Sequence, residues 1–301
     1  MELTPQAIRT PEDLEKLEFI CPPANSGHPP LTYFSDYIEL PENFTTRFHS
    51  SSNENIIIIG ELRGKELLSN PRSFVNSIYS SDLNNSIESY FSHIVSFYQE
   101  KNITSIRFHS SPEYIQKSPK LMSDSKMEYR CTTSVIKIDN YQPSNRRIRS
   151  IKKAKENGYK LEIAKPEDYF EVWSFLRDFL TSKKLPLLSF ERVFKLVTKF
   201  PTLFTLVRVN DCDGELIAAA LVNKIGDCIR LPNYCGSKMH YGATDFLISQ
   251  VVEMAMEQKI QFVDLGTSTD PQTGLEIEGI VNFKSEFSAK RHILEDEVLT
   301  L

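Results

Sequence analysis

Six basic residues fall within ten positions of this chain: Arg146, Arg147, Arg149, Lys152, Lys153 and Lys155, in the stretch NRRIRSIKKAKENG. No acid lies among them, although the net charge of the whole protein is −5. Such a run is either an anion site or the wet face of an amphipathic helix. At helical spacing Ile148, Ile151 and Ala154 form one stripe to bury, while Arg146, Arg149 and Lys153 share another face. Guanidinium forks and an ammonium group so placed can hold a phosphate or diphosphate. A second place for an anion is the strong helix expected to open at Gly242, because a helix N-terminus offers free N–H groups and partial positive charge. The alternative there is a glycine N-cap with no ligand. A third place is the turn grouping Asn282, Phe283, Lys284 and Phe287. Lys284 can neutralise a substrate phosphate there, or serve as a surface lysine beside two core phenylalanines.

Composition excludes several function classes. With 40 acidic against 35 basic residues, the surface lacks the spread of positive charge a general nucleic-acid binder needs. The five cysteines, Cys21, Cys131, Cys212, Cys228 and Cys235, form no C-x-x-C pair. That disfavours both a metal site and a disulfide framework, and it fits reduced thiols in the cytoplasm. Residues 1–19 are polar and acidic, without the basic-then-apolar order of a signal peptide. No window approaches 18 apolar residues, so no membrane-spanning helix is expected. Neither G-x-G-x-x-G nor G-x-x-x-x-G-K-[ST] occurs, which argues against a dinucleotide fold or P-loop. The run Asp211-Cys212-Asp213-Gly214 lacks the rest of a calcium loop and reads as a hairpin turn.

These residues must be positioned by a mixed α/β chain of 301 residues, long enough for two domains. In the first half, helices are expected at 11–19 and 86–101, a strand buried on both faces at 55–61, and strands at 103–109 and 128–139. The polar, proline-containing stretch 140–145 places the domain boundary between 1–140 and 141–301. The second half has a clearer rhythm. A helix at 144–157 is capped by Ser144 and stopped by Gly158. There follow a strand at 159–164, helices at 166–180 and 189–199, and a three-strand meander over 203–234. A helix at 242–258, a strand at 261–266, a helix at 279–287 and a last strand at 292–299 complete it.

The segments RRIRSIKKAKENGYKLEI, YGATDFLISQVVEMAMEQK, QFVDLGTS and GIVNFKSEFSAK, in this order, give the stretch 145–298 its resemblance to the GNAT superfamily of N-acyltransferases. More narrowly, it resembles the Fem-type transferases and their acyl-CoA-using relatives. The resemblance implies two tandem GNAT-like domains, each a mixed, mostly antiparallel sheet flanked by helices, the first a degenerate copy. It implies coenzyme A thioester as co-substrate and no metal. The pyrophosphate would lie at Lys238, Tyr241, Gly242, Ala243 and Thr244, although the loop lacks the family's leading Gln/Arg and its second glycine. Direct attack of an amine on the thioester needs a free amine, an oxyanion donor and an acid for the thiolate. Tyr234, His240, Asp264 and Glu278 stand in plausible places for such groups, with a structural role as the alternative for each. Arg146, Arg149, Lys153, Asn282 and Lys284 border the acceptor.

The leading expectation is therefore a cytoplasmic N-acyltransferase, monomeric or homodimeric. It would acylate the amino group of a small molecule bearing a phosphate or diphosphate, such as a nucleotide-linked amino sugar for surface polysaccharide. A Fem-type enzyme using aminoacyl-tRNA is the second reading. A non-catalytic GNAT-like binding module is the third.

Overall fold

The structure is a computed structural model. It describes residues 6–8, 44–50, 55–69, 78–80, 95, 99–100, 102–109, 124–185, 188–270 and 273–301. The chain forms two compact units, Met1–Arg130 with Ile293–Leu301, and Cys131–His292. The break expected at 140/141 falls inside the second unit.

In the first unit, β1 (Gln6–Ile8), β2 (Phe44–Ser50), β3 (Asn55–Arg63) and β4 (Glu66–Ser69) pair antiparallel in sequence order, and β5 (Ile78–Ser80) adds to β3. β6 (Ser105–His109) runs parallel to β4. Its alternation holds, since Ile106 and Phe108 are buried while Ser105 and Arg107 are not. The helix expected at 11–19 lies outside the described residues, as do most of the one at 86–101 and the side chains of 55–61.

The chain enters the second unit within β7 (Lys126–Lys137) and leaves it within β13 (Lys290–Thr300). In between come β8 (Lys160–Ile163), the meander β9 (Phe204–Asn210), β10 (Leu216–Ile225) and β11 (Cys228–Gly236), and then β12 (Phe262–Thr267). β8, β9, β10 and β11 pair antiparallel in that order, β11 runs parallel to β12, and β12 runs antiparallel to β7. The helices are α1 (Asn145–Glu156), α2 (Tyr169–Ser182), α3 (Phe190–Lys199), α4 (Ala243–Glu257) and α5 (Glu278–Ser285). The mixed α/β class and every element expected in the second half are present. α4 is the crossover that the parallel β11–β12 pair requires. It buries Phe246, Leu247, Ile248, Val251 and Val252 against Val207, Ile217, Ile229 and Val263 of the sheet.

α1 begins and ends as expected. Ser144 Oγ accepts the Arg147 N–H, and Gly158 follows with φ +75°. Its buried face is a correction to the expected stripe. Arg147, Ser150 and Ala154 point inward, whereas Ile148 is 49% exposed. Small Ser150 is needed because Gly242 packs on it. A Cβ at Gly242 would lie 2.7 Å from Ser150 Oγ and 2.9 Å from Ser150 O, and the residue sits at φ +80°. Glycine alone meets both demands, so α4 starts directly against α1.

Candidate active site

β11 and β12 are partners over three residues only, from Cys228↔Phe262 to Arg230↔Asp264. Beyond that point they separate. The register of β12 on β7 shifts between Asp264 and Thr267, which is a β-bulge. Gly266, at φ +76°, takes the left-handed conformation that the bulge requires, and its N–H donates to Asp264 Oδ1 at 2.8 Å. Where the strands part there is a cavity of about 360 Å³. Residues 232–236 of β11 line one side and residues 265–269 the other. Phe179, Leu180 and Leu185 at the end of α2, Ile280 and Phe283 of α5, and Thr244 in the first turn of α4 close it. The lining is largely apolar, and among the described residues Lys284 is its only charged member.

Lys284 is 2% exposed. Its Nζ donates to Gly266 O at 2.7 Å and Thr267 O at 2.8 Å, the carbonyls turned aside by the bulge. It forms no ion pair among the described residues. Burial lowers its pKa to about 8; the Asp264 carboxylate opposes the shift and the Arg230 guanidinium adds to it. At neutral pH it is therefore mainly an ammonium with a third N–H beyond the two held by carbonyls.

Asp264 is fully buried beneath the cavity. Its Oδ2 lies 3.0 Å from Arg230 Nε, and it also accepts from the Thr133 hydroxyl. Tyr234 lines the cavity. Burial first, and the Asp264 charge second, hold its phenol above its ordinary pKa, so it remains a proton donor throughout the physiological range. Cys235 also lines the cavity, and burial pushes its thiol up to about 12, which rules it out as a ready thiolate nucleophile.

A second constellation joins α1, α4 and α5. Arg147 Nη1 reaches Asp245 Oδ1 and Oδ2 at 2.9 and 3.0 Å, and its Nε lies 2.8 Å from Glu286 Oε2. The guanidinium stacks 4.4 Å from the Phe283 ring centre and 5.3 Å from that of Phe287. Arg147 is thus consumed in packing. Arg149 and Lys153 stay exposed, with Lys153 Nζ 5.3 Å from the Tyr241 ring centre.

The structure brings together three of the expected site residues at the cavity: Tyr234, Thr244 and Lys284. The others stand elsewhere. Glu278 and Asn282 are exposed on α5, Lys238 and Tyr241 are exposed in the loop before α4, and Ala243 is buried in the core. Arg146 is 72% exposed and lies 3.4 Å from Glu286. His240 turns to the β9–β10 hairpin, with Nε2 3.6 Å from Asp211 Oδ2 and Nδ1 3.3 Å from Ser237 Oγ. Asp211, Glu215 and His240 offer three ligand atoms within 4.8 Å of one another, and none of the three lines the cavity at Lys284. Sequence reasoning missed the Gly266 bulge and the buried Arg147. The one signal for the bulge was a glycine inside the apolar run QFVDLGTS.

No family model and no curated protein matches the sequence. Solved structures match it in fold. FemX aligns with a TM-score of 0.65 at 10% identity, over 100% of this chain and 98% of its own. L-PGS from Bacillus licheniformis aligns at 0.62 and 14% identity, over 96% of this chain and 91% of its own. A conserved protein of unknown function from Bacteroides thetaiotaomicron aligns at 0.67 and 10% identity over the full length of both chains. What these proteins share with this one is the fold, a mixed sheet flanked by helices.

Proposed function

We propose that the chain is an N-acyltransferase, with the acyl thioester of coenzyme A as donor and the amino group of an anionic small molecule as acceptor. The observation that carries this reading is the cavity opened between β11 and β12, largely apolar and with Lys284 its one charged member among the described residues. A thin, extended pantetheine arm suits a gap between parted parallel strands, whose edges offer N–H and C=O groups to its amides as a third strand would. The donor supplies an activated carbonyl. In this reading Lys284 directs its third N–H at the oxygen that becomes negative when the amine attacks. The acceptor ammonium first loses a proton to solvent, and the neutral amine then attacks the carbonyl carbon and gives up a second proton to solvent as the amide forms. Tyr234 gives a proton to the departing sulfur and regains one from solvent. Thr244, the first turn of α4 and the exposed Arg149 and Lys153 would hold phosphates at the outer end. No metal enters the scheme. An acceptor carrying a diphosphate, such as a nucleotide-linked amino sugar, would suit the basic face of α1 and a cytoplasmic setting. No described helix is long and apolar enough to cross a membrane.

A second reading is favoured by the whole-length likeness to FemX: transfer of an aminoacyl group from tRNA. It fares worse against the cavity. An α-ammonium brought there would meet a lysine and, among the described lining residues, no carboxylate. Calorimetric titration of the protein with acetyl-CoA, coenzyme A and deacylated tRNA separates the readings. Heat with the CoA species alone supports the proposal, heat with tRNA alone replaces it by the second reading, and heat with none leaves a module without either donor.

A further inference from the structure

We propose that the second unit carries a site for a divalent transition-metal ion of the zinc class, built by Asp211, Glu215 and His240 and independent of the transferase reading. Their ligand atoms lie within 4.8 Å of one another. Two segments meet there. Asp211 and Glu215 flank the β9–β10 turn, where the Asp211 N–H donates to Glu215 O at 3.0 Å and the Gly214 N–H donates to Asp211 O at 3.2 Å. His240 comes from the loop that follows β11. The β10–β11 pairing Ala218↔Gly236, and the Ser237 N–H donated to Ile217 O at 2.7 Å, bring that loop beside the hairpin.

The gap between His240 and Asp211 is what calls for an ion. Asp211 Oδ1 accepts the N–H groups of Asp213 and Glu215 at 3.0 and 2.9 Å. Oδ2 accepts no hydrogen bond among the described residues, although only 12% of the side chain is exposed, and it faces His240 Nε2 at 3.6 Å. That is beyond the range of an N–H···O bond. It is close to the spacing of two ligands on one metal, since nitrogen and oxygen atoms about 2.0–2.2 Å from a tetrahedral centre stand roughly 3.4 Å apart. On the other side of the ring, Nδ1 lies 3.3 Å from Ser237 Oγ, which also accepts the Met239 N–H. This contact holds Nε2 towards the carboxylates, as the outer partners of metal-bound imidazoles do. Glu215 forms no ion pair among the described residues, and its exposed side chain can swing to close the third position. One imidazole nitrogen and two carboxylates suit zinc, whereas calcium takes about six to eight oxygens. Three protein ligands leave one tetrahedral position for water. Cys212, the exposed thiol of the same turn, packs on Gly158 instead, where an added Cβ would lie 3.4 Å from its own. The bound ion clips the hairpin to residues 237–241, the loop before α4.

The test uses the full chain, stripped with a chelator and titrated with zinc chloride against a zinc-binding indicator, with calcium and magnesium chloride as comparison ions. Long-range ¹H–¹⁵N spectra of the histidine rings are recorded on the same samples. Zinc is expected to bind more tightly than either comparison ion and to leave His240 with the metal at Nε2 and hydrogen at Nδ1. His240→Gln and Glu215→Gln should each weaken binding by about tenfold or more at unchanged melting temperature of the metal-free chain, whereas Cys212→Ser should leave it as it is. Absence of zinc binding, undiminished affinity in His240→Gln, loss of binding in Cys212→Ser, or calcium held more tightly than zinc would overturn the proposal.

Discussion

Two buried cations on either side of α5 have opposite surroundings. Arg147 is enclosed by two carboxylates and two aromatic rings, so its charge is met from within the fold. Lys284 faces a cavity and two backbone carbonyls, and burial depresses its pKa where a paired lysine would hold its proton. Phe283 touches both places, lining the cavity and stacking on Arg147. The contrast separates a charge that the fold uses from a charge that the fold tolerates, and only the second faces a cavity.

The largest expected effect is on the Arg147 side. Arg147→Ala leaves Asp245 buried without its ion pair, and thermal or urea unfolding should show a loss of about 3–5 kcal/mol. The fraction that stays folded should keep its affinity for acetyl-CoA. Lys284→Met should do the reverse. Loss of one oxyanion donor lowers turnover by about 10²–10³-fold. Stability should change by only about 1 kcal/mol, because relief of desolvation offsets two lost hydrogen bonds. If both variants lose stability and activity in the same proportion, the contrast is broken.

Gly242→Ala tests the junction from the backbone side. It places a methyl group against Ser150 at positive φ and should cost about 1–3 kcal/mol by denaturant titration. The smallest effect is pH dependence. Because the folded pKa of Lys284 is depressed to about 8, the unfolded chain binds more protons above that pH, and Lys284 should contribute a rise of about 1 kcal/mol between pH 8 and 9, set against the fall that the buried Cys228 and Cys235 thiols bring with or without it as they ionise in the unfolded chain. Over the same window turnover should fall as the ammonium is lost. In Lys284→Met both features near pH 8 should vanish.

Local signals made the second half legible. Ser144 and Gly158 bound α1, Ser189 caps α3, and the meander follows from turns at Asp211–Gly214 and Gly226. The candidate site was less so, for physical reasons. Arg147 reads as one of six solvated cations until Asp245, 98 residues away, is placed beside it. Gly266 reads as the end of a strand until the register on β7 shows the bulge. Lys284 reads from sequence as either a phosphate partner or a surface lysine, and its burial on two carbonyls depends on that bulge. His240 and Glu278 are near the site in sequence, yet loop geometry turns one to the β9–β10 hairpin and leaves the other on an exposed helix end.

The central claim is that the space between β11 and β12 receives the acyl donor. Ile280→Trp fills that space from α5 and leaves Arg147 and Lys284 themselves unchanged. In calorimetric titrations with acetyl-CoA, the account predicts saturable binding by the wild-type protein and at least tenfold weaker binding by a variant that melts at nearly the same temperature. Equal binding by the two proteins, or none by either, would contradict it.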